Sequence, residues 1–376
     1  MTDILVTRRV KYVSTVEYEV VNAPNIFDLK NMALLSTGKV KNGCRFVVID
    51  QNVDRHYGDD MRSYFTHHGV KTKIVVFPGG EENKTAEYYF SIVRELDAFP
   101  IHRRDEPIIA IGGGVLTDVV AFVASTYRRG VPHIKVPTTL MGYVDGSVGI
   151  KNGINFNGNK NRLGAFQAPQ KVLLDKSFLR TLPRRHILNG VCEIIKLAVI
   201  ADAHLFHVLE TCGPESVDVL LQNDAGCTIL DHAVAGMLEE LEPNLFEENL
   251  DRKMDFGHTF SYGLETRYEA DLLHGEAVLL DVLISVLIAR ARNLLTDEET
   301  SRIFQLVEKL TIVLDVSLLE PHLLWGSLQE RVYHRNGLQR VPMPQGIGNC
   351  IFLNDITYSD IANATKALEN WMVLGR

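Results

Sequence analysis

The sequence has few cysteines and no apolar run long enough to cross a membrane. Its five cysteines are widely spaced among 376 residues and form no Cys-x-x-Cys pair, which excludes a disulfide-stapled scaffold and a zinc ribbon. The longest apolar segment, 277–289, is broken by Asp281 and Ser285, so it predicts a buried helix. An early acid at the N-terminus, with no apolar segment behind it, predicts no signal peptide, and free thiols suit a reducing cytoplasm.

The sequence also lacks an excess of positive charge. Lys and Arg number 39 against 47 acids, a net charge of -8, which disfavours nucleic acid as a partner. Apolar residues make up 46 % and charged residues 23 %, which is ordinary for a globular protein, and the length suits about two domains. Any anionic ligand must therefore be held by a local cluster of cations.

Hydrophobic patterns divide the chain into two halves. Short β-branched runs at 45–50, 72–77, 107–111, 133–136 and 172–175 alternate with helical patterns, which predicts a parallel α/β sheet. After about residue 180, helical spacing dominates over 179–210, 224–241, 275–295 and 297–310, and a late loop spans about 336–345. We expect an α/β nucleotide-binding domain at 1–178 and a helical metal- and substrate-binding domain at 179–376.

Three glycines, Gly112 to Gly114, follow the third predicted strand and precede a helical stretch. Such a turn lets backbone N–H groups approach a phosphate at a helix N-terminus, although a tight turn without any ligand has the same pattern. The G-x-G-x-x-G fingerprint is absent. Asp50, at the end of the first predicted strand, could bind a ribose hydroxyl or serve as a turn residue.

The segment 127–162 opposes the overall charge. It contains six Lys and Arg residues and one acid, a local charge of +5, together with many Gly and Asn residues. Gly and Asn favour the unusual backbone angles of a folded loop. The segment therefore predicts a loop that wraps a small polyanion, with a solvated basic surface loop as the alternative.

One Glu and two His could form a metal site. Glu193 and Lys196 share one face of an otherwise apolar helix, and an acid there needs a partner. With His258 and His274, Glu193 would give a common Zn²⁺ ligand set that leaves a position open. Each histidine alone is more often a structural residue than a metal ligand.

Six motifs in order resemble the dehydroquinate synthase superfamily of sugar phosphate cyclases. They are GGGVLTD at 112–118, VPTTL at 136–140, KNRLG at 160–164, EIIK at 193–196, GHTF at 257–260 and HGEA at 274–277. The resemblance runs from about residue 50 to 354. It implies a dehydroquinate synthase-like fold with an α/β nucleotide-binding half and an all-α half, bound NAD, Zn²⁺ or Co²⁺, a phosphorylated sugar substrate and a homodimer.

The resemblance also implies residue roles. The implied metal ligands are Glu193, His258 and His274, and the implied NAD contacts are Gly113, Gly114, Val115, Asp118, Thr138 and Thr139, with Asp50, Asn52, Glu81 and Lys84 at the adenosine end. The substrate phosphate would be held by Arg129, Lys151 and Asn161, with Lys160 close to both substrate and cofactor. Asp145 and Lys196 would hold sugar hydroxyls near the metal.

Three positions depart from dehydroquinate synthase, which binds a substrate carboxylate through Arg, Asn and Lys. This chain has Asp251, Asp255 and, in the late part of the chain, His334 in their place. Acids there would repel a carboxylate, so the expected substrate is sedoheptulose 7-phosphate, which has a neutral hydroxymethyl group instead. Asp255 with His334 resembles the 2-epi-5-epi-valiolone synthases.

The implied reaction is a redox-neutral cyclisation with loss of phosphate. Lys151, Lys196, Asp145, His334 and Asp255 are the candidates for handling protons or orienting hydroxyls, and Arg129, Lys160, Asn161, Asp251 and Tyr262 for contacting substrate. Tyr262 stands where that branch usually has Pro, which leaves the product stereochemistry open. The alternatives are a 2-epi-valiolone or desmethyl-4-deoxygadusol synthase, 3-dehydroquinate synthase, a glycerol-type polyol dehydrogenase, and a catalytically silent binding protein.

Overall fold

A computed structural model describes residues 8–37, 43–268 and 271–374, and side chains as far as residue 371. Its first half alternates strands and helices. They are β1 (Glu19–Asn22), β2 (Cys44–Asp50), α1 (Gln51–His67), β3 (Lys71–Phe77), α2 (Ala86–Ala98), β4 (Ile108–Gly112), α3 (Gly114–Thr126), β5 (His133–Pro137), β6 (Lys151–Phe156), β7 (Asn159–Phe166) and β8 (Lys171–Leu174). Strands β4 and β5 are buried along their whole length, as expected for central strands covered on both faces.

Six of these strands form one parallel sheet in the order β1-β8-β5-β4-β2-β3. The chain extends the sheet in one direction from β2 to β3 and in the other from β4 through β5 to β8. The order therefore reverses between β2 and β4. In open α/β sheets, ligands bind at the carboxyl ends of the strands beside such a reversal. Asp50 ends β2 and Gly112 ends β4, so both lie at this point.

The second half is built from helices around two buried ones. Its elements are α4 (Arg184–Ile200), α5 (Ala203–Asp218), α6 (Asp224–Leu241), α7 (Ser261–Arg267), α8 (His274–Ala291), α9 (Asp297–Lys309), α10 (Pro321–His334), β9 (Val341–Pro344), β10 (Cys350–Leu353) and α11 (Tyr358–Leu374). Helices α4 and α8 are buried on nearly every side and pack against each other. They form the core of the helical half, which fixes the residues that they present to the site.

The structure corrects several sequence-based expectations. The basic segment is not only a loop, because residues from 151 to 166 form the β6–β7 hairpin. The predicted late loop contains β9, which pairs antiparallel with β10, so the second half is not purely helical. The predicted helix 179–210 is interrupted, since α4 starts at Arg184 and ends at Ile200 before α5 begins. Asp202 caps α5 through its side chain, which is the local signal for that break.

None of the helices in the described ranges combines the length and apolar character needed to cross a membrane.

Candidate active site

The three expected metal ligands come together from separate parts of the helical half. Glu193 lies in the middle of α4, His258 in the irregular segment before α7, and His274 is the first residue of α8. One ligand atom from each lies within 4.8 Å of the others. Within the described ranges, no other group of three His, Cys, Asp or Glu residues meets this criterion.

Distances within this cluster centre on one carboxylate oxygen. Glu193 Oε1 lies 3.6 Å from His258 Nε2 and 3.4 Å from His274 Nε2, and the two imidazole rings stack with centroids 5.2 Å apart. Glu193 is buried, and its Oε1 accepts no hydrogen bond from the residues that the structure describes. A buried oxygen without a partner, facing two imidazole nitrogens, fits a divalent cation such as Zn²⁺.

The charges around the cluster hold Glu193 and His258 in the forms that bind metal. Burial alone would raise the pKa of Glu193, but Lys196 and the two histidines outweigh it and hold the pKa well below its usual range. Burial, helped by Lys196, lowers the pKa of His258 to about 3 and keeps its ring neutral. An ionised carboxylate and a neutral imidazole are the forms that bind metal. Burial alone would lower the pKa of His274, but Glu265 and Glu193 raise it to about 10, so a metal would have to displace a proton from that ring.

A further carboxylate, Glu265, orients one of the ligands. It lies one turn into α7 and its Oε2 is 2.9 Å from His274 Nδ1, so the imidazole can direct Nε2 toward Glu193. Carboxylate–histidine pairs of this kind fix the tautomer and orientation of metal ligands. Sequence analysis missed Glu265, which lies seven residues after His258.

The segment that carries His258 has a backbone only glycine readily adopts. Gly257 has φ +77°, and an added Cβ would lie 2.8 Å from Val278 Cγ1 on α8. Lys196 contacts this segment at two points, since its Nζ donates to the Met254 carbonyl at 3.3 Å and lies 3.2 Å from His258 Nε2. Lys196 also pairs with Glu193. The expected sugar-binding lysine thus lies directly beside the metal ligands.

Asp145 lies at the edge of the same cluster. It lies in a single π-helical turn, Gly142–Gly146, in the first half of the chain. Burial and the neighbouring Glu193 carboxylate raise its pKa, while Lys196 and Lys151 act in the opposite direction. Lys151, at the start of β6, is exposed and pairs with Glu247 at 2.9 Å. The structure therefore brings Asp145 to the metal ligands, whereas Lys151 lies in a surface ion pair.

The crevice beside the sheet reversal has the features of a nucleotide site. Gly113 caps α3 with its backbone and Gly114 begins the helix, so the first N–H groups of α3 face this point. An added Cβ would meet open space at Gly114. Thr138 donates its N–H to the Gly112 carbonyl at 3.0 Å, and the Thr139 hydroxyl accepts from Gly142 N at 3.1 Å. The open space at Gly114 and the unpaired N–H groups fit the pyrophosphate of a dinucleotide.

Asp50 divides its carboxylate between two tasks. Oδ1 accepts from the N–H groups of Asn52 and Val53 and caps α1. An added Cβ on Gly79, which has φ +76°, would lie 2.5 Å from Oδ2. The absence of a side chain at residue 79 therefore leaves space around Oδ2, as hydrogen bonding to a ribose hydroxyl requires. Asn52 contributes its backbone N–H to the cap of α1, and its side chain is exposed.

Lys84 links the nucleotide crevice to the β6–β7 hairpin. Its Nζ donates to Asp118 Oδ2 at 2.7 Å and to Asn161 Oδ1 at 2.5 Å, and its side chain is 5 % exposed. Burial alone would lower the pKa of Lys84, but Asp118 and Glu81 raise it overall and keep the ammonium charged. Lys84, Asp118 and Asn161, predicted in different roles, thus form one hydrogen-bonded group.

Asn155 makes a second link that sequence analysis missed. Its Nδ2 donates to Glu81 at 2.8 Å, and its Oδ1 accepts from Asn161 N at 2.8 Å. Farther along the hairpin, Lys160 lies within electrostatic range of Glu265: burial alone would raise the pKa of Glu265, but His274 and, more weakly, His258 and Lys160 lower it. The hairpin therefore extends from the nucleotide crevice toward the metal ligands.

Arg129 is exposed and has φ +65°, a left-handed conformation that ends the turn after α3.

The two acids at positions that depart from dehydroquinate synthase, Asp251 and Asp255, have arginine partners. Asp255 Oδ2 accepts from Arg252 Nε at 2.8 Å, pairs with Arg331 at 3.1 Å, and also pairs with Arg335. Asp251 pairs with Arg340 at 2.6 Å. Burial alone would raise the pKa of Asp255, but Arg331 and Arg252 lower it, so the group stays ionised.

His334 and Tyr262 lie differently from these acids. His334 is exposed at the end of α10, with its ring edge-on to Tyr333, and it is the next residue, Arg335, that pairs with Asp255. Tyr262 is 36 % exposed on α7, and its carbonyl accepts from Thr266. Arg335, the neighbour of His334, is thus the residue that bonds Asp255 in this part of the chain.

Comparison with known proteins bears on the whole chain. Residues 74–189 match the family model of the 3-dehydroquinate synthase N-terminal domain, and residues 190–330 match that of the C-terminal domain. A 2-epi-5-epi-valiolone synthase from Streptomyces albus is 47 % identical over 93 % of this chain and 87 % of its own. A demethyl-4-deoxygadusol synthase from Trichormus variabilis is 38 % identical over 93 % of this chain and 87 % of its own.

A solved structure shares the architecture closely. ValA, a 2-epi-5-epi-valiolone synthase from Streptomyces hygroscopicus subsp. jinggangensis 5008 with NAD⁺ and Zn²⁺ bound, is 41 % identical and superimposes with a TM-score of 0.92, covering 96 % of this chain and 99 % of its own. The expected fold is confirmed. With both family models matched in order, the chain belongs to the 3-dehydroquinate synthase family.

Proposed function

We propose that this chain is a sugar phosphate cyclase, a carbon–oxygen lyase that converts sedoheptulose 7-phosphate into 2-epi-5-epi-valiolone with loss of inorganic phosphate. NAD and Zn²⁺, or Co²⁺, are its cofactors. The observation that carries the proposal is the metal cluster of Glu193, His258 and His274 beside a nucleotide crevice, in a chain 47 % identical to a 2-epi-5-epi-valiolone synthase. The acids at 251 and 255 favour that substrate over one with a carboxylate.

The arginine pairs refine the argument about the substrate. Repulsion by free acids would be one reason to exclude a carboxylate, but Asp251 and Asp255 are each paired with arginine. A substrate carboxylate would have to compete with Asp255 for one of its three arginine partners, which would weaken the ion pairs of a largely buried acid. A neutral hydroxymethyl group imposes no such cost. The paired acids therefore favour sedoheptulose 7-phosphate.

The residues of the hairpin and the turn after α3 would bind the phosphate. Arg129 supplies a guanidinium suited to paired phosphate oxygens, and Lys160 and Lys151 supply ammonium groups. The Asn161 amide N–H groups would donate while its Oδ1 stays bonded to Lys84. Lys151 would exchange its partner Glu247 for the substrate, which is inexpensive because an exposed ion pair contributes little.

The residues around the metal cluster would hold the sugar hydroxyls. Glu193, His258 and His274 would hold Zn²⁺, and the N–H groups of Gly114 and Val115 with Asp50 would hold NAD. When bound, NAD⁺ and Zn²⁺ supply reversible hydride transfer and Lewis-acid polarisation of a hydroxyl. Lys196 Nζ would donate to a sugar hydroxyl beside His258, and the Asp145 carboxylate would accept from another. Asp255 and His334 remain our candidates for orienting the hydroxyls of the opened chain.

The first experiment is a phosphate-release assay on the purified protein with NAD⁺ and Zn²⁺. We expect release from sedoheptulose 7-phosphate, none from the phosphorylated precursor of dehydroquinate, and no net accumulation of NADH. Release from the dehydroquinate precursor alone would instead identify a 3-dehydroquinate synthase. NADH accumulation with glycerol would identify a polyol dehydrogenase, and a protein without bound NAD or metal would be a silent binding protein.

Product identification by NMR separates the closest alternatives. The proposal requires 2-epi-5-epi-valiolone, whereas 2-epi-valiolone or desmethyl-4-deoxygadusol would reassign the chain within the same group of cyclases. Tyr262→Pro tests the residue that departs from the branch. An altered product would link Tyr262 to ring configuration, and an unchanged product would leave Tyr262 as a packing residue.

We further propose a homodimeric, cytoplasmic enzyme with no nucleic-acid or membrane partner, divided near residue 178. The net charge of -8 argues against a nucleic-acid partner, and the five free cysteines suit a reducing cytoplasm. Light scattering of the purified protein tests the dimer, and limited proteolysis near residue 178 tests the division.

A further inference from the structure

The segment 254–263 carries His258 but has little regular structure of its own. It includes a short 3₁₀ turn, Lys253–Asp255, and the start of α7. The His258 N–H closes a turn on the Asp255 carbonyl at 3.0 Å, and side chains of surrounding helices bond several of the other backbone groups. Asp281 on α8 accepts from the N–H groups of Phe260 and Ser261, at 2.5 and 2.9 Å. A loop held in this way depends on those side chains for its conformation.

Helix α10 makes two of these contacts from one face. Ser327 Oγ accepts from Gly263 N at 2.9 Å, and four residues later Arg331 NH1 donates to the His258 carbonyl. Residues four apart lie on the same side of a helix, so one face of α10 lies along the segment. An added Cβ on Gly263 would lie 2.7 Å from Ser327 Oγ, so the two helices are already in close contact.

Arg331 also contacts the acid of the substrate pocket. Its NH2 lies 3.1 Å from Asp255 Oδ2, and its side chain is 19 % exposed. One planar guanidinium thus bonds both the carbonyl of a metal ligand and the carboxylate three residues before it. Because the nitrogens of a guanidinium have a fixed geometry, this arrangement sets the distance between the two groups.

We propose that Arg331 is a positioning residue that fixes His258 toward the metal by holding the His258 carbonyl and the Asp255 carboxylate with one guanidinium. The inference rests on the metal site of the proposed function. Arg331 touches neither the metal ligand atoms nor the reacting sugar in this assignment, and it acts through the backbone of residue 258. Removing it takes away the bond to the His258 carbonyl while the bonds of Asp281 and Lys196 to this segment remain, so the imidazole is held less firmly beside Glu193.

The neighbouring Arg335 provides a matched control. It pairs with the same Asp255 oxygen and otherwise donates to the carbonyls of Arg340 and Gln339, at 2.9 and 3.5 Å. No bond from Arg335 to the segment 256–263 occurs within the described ranges. Arg331→Met and Arg335→Met therefore each remove one charge from Asp255 while keeping an apolar stem, but only Arg331→Met removes the bond to the His258 carbonyl.

Zinc affinity, measured on the full-length apoprotein by competition with a chelator, is the readout that distinguishes positioning from general stability. We expect Arg331→Met to weaken Zn²⁺ binding by about 10- to 100-fold, as loss of an outer contact to a metal ligand typically does, and Arg335→Met by less than about 3-fold. Arg331→Lys, which can reach only one of the two oxygens, should lie between. Thermal unfolding of each apoprotein is recorded in parallel.

Two results would overturn the proposal. One is an unchanged Zn²⁺ affinity in Arg331→Met, even with a lower unfolding temperature, because that marks a purely structural role. The other is equal weakening by Arg331→Met and Arg335→Met, because that marks an effect of charge on Asp255. Should Arg331→Met not fold, Arg331→Lys against Arg335→Lys decides by the same criteria. The assay contains no substrate, so an incorrect substrate assignment leaves it intact, and a wild type that binds no Zn²⁺ refutes the metal site itself.

Discussion

Gly79 provides a quantitative test of the nucleotide crevice. It has φ +76°, and an alanine Cβ there would lie 2.5 Å from Asp50 Oδ2, well inside van der Waals contact. Gly79→Ala must therefore displace the Asp50 carboxylate. Gly69 is the matched control, because it has φ +63° but an added Cβ would meet nothing within 4 Å. Both variants strain the backbone, and only one disturbs Asp50.

The two variants should differ in both stability and cofactor affinity. A left-handed alanine costs about 1–2 kcal/mol in each variant. Displacing Asp50 also removes the cap of α1, which adds about 1 kcal/mol, so the free energy of unfolding should fall by about 2–3 kcal/mol in Gly79→Ala. Loss of the hydrogen bond that a ribose hydroxyl donates to a charged carboxylate costs about 1.5–3 kcal/mol, or about 10- to 100-fold in NAD⁺ affinity.

Calorimetric titration with NAD⁺ and chemical denaturation measure these quantities. Gly69→Ala should bind NAD⁺ as the wild type does while losing stability. If Gly79→Ala also retained the wild-type NAD⁺ affinity, the assignment of Asp50 to the ribose would be refuted. Equal losses of affinity in both variants would likewise refute it, since backbone strain alone would then explain the effect.

Three further predictions follow from buried charges. Glu265→Ala should weaken Zn²⁺ binding by about 10- to 100-fold and Glu265→Gln by less, measured by chelator competition. Glu320→Ala is the control, because Glu320 bonds Arg267, the last residue of α7, and Tyr268 after it. Equal affinity in all three variants would contradict the orienting role of Glu265. Lys84→Met should lower the free energy of unfolding by about 3 kcal/mol and loosen the hairpin, seen as faster amide exchange over 151–166, and a hairpin with unchanged exchange would contradict the link. Burial raises the pKa of Asp281 from 3.8 to about 6, so the folded state binds the proton more tightly than the unfolded state does. As the pH rises from 4 to above 6, the free energy of unfolding of the wild type should therefore fall by up to about 3 kcal/mol relative to that of Asp281→Asn. A difference between the two proteins in urea denaturation that does not change with pH would disprove this.

Elements with a regular hydrophobic pattern could be predicted from the sequence, whereas elements that depend on tertiary contacts could not. Strand β4, for example, was predictable because a run of Ile residues bounded by turn residues has few other solutions. The β6–β7 hairpin was missed because Gly and Asn dominate it, and its pairing depends on packing against α3. Strand β9 was missed because its two prolines argue against a strand. Among the residues that the structure describes, it pairs with β10 alone, so its other edge tolerates the prolines.

The residues of the candidate site likewise divide into those that could be predicted from the sequence and those that could not. Resemblance to a family pointed to Glu193, His258 and His274, and the fold brings them together from distant parts of the chain. Partners such as Glu265 and Arg331 have no comparable signal, since a single Glu or Arg on a helix is most often exposed. That Asp255 pairs with Arg335, the neighbour of His334, has a geometric reason. Adjacent residues near the end of a helix point about 100° apart, and there Arg335 faces Asp255 while His334 faces solvent.

The β6–β7 hairpin has a consequence for how ligands communicate. It bonds to Lys84 and Glu81 on the nucleotide side, and Lys160 reaches the electrostatic range of Glu265 on the metal side. A ligand that orders one end of the hairpin therefore lowers the entropic cost of ordering the other end. Linkage makes such coupling reciprocal, so cofactor and sugar phosphate should each tighten the binding of the other.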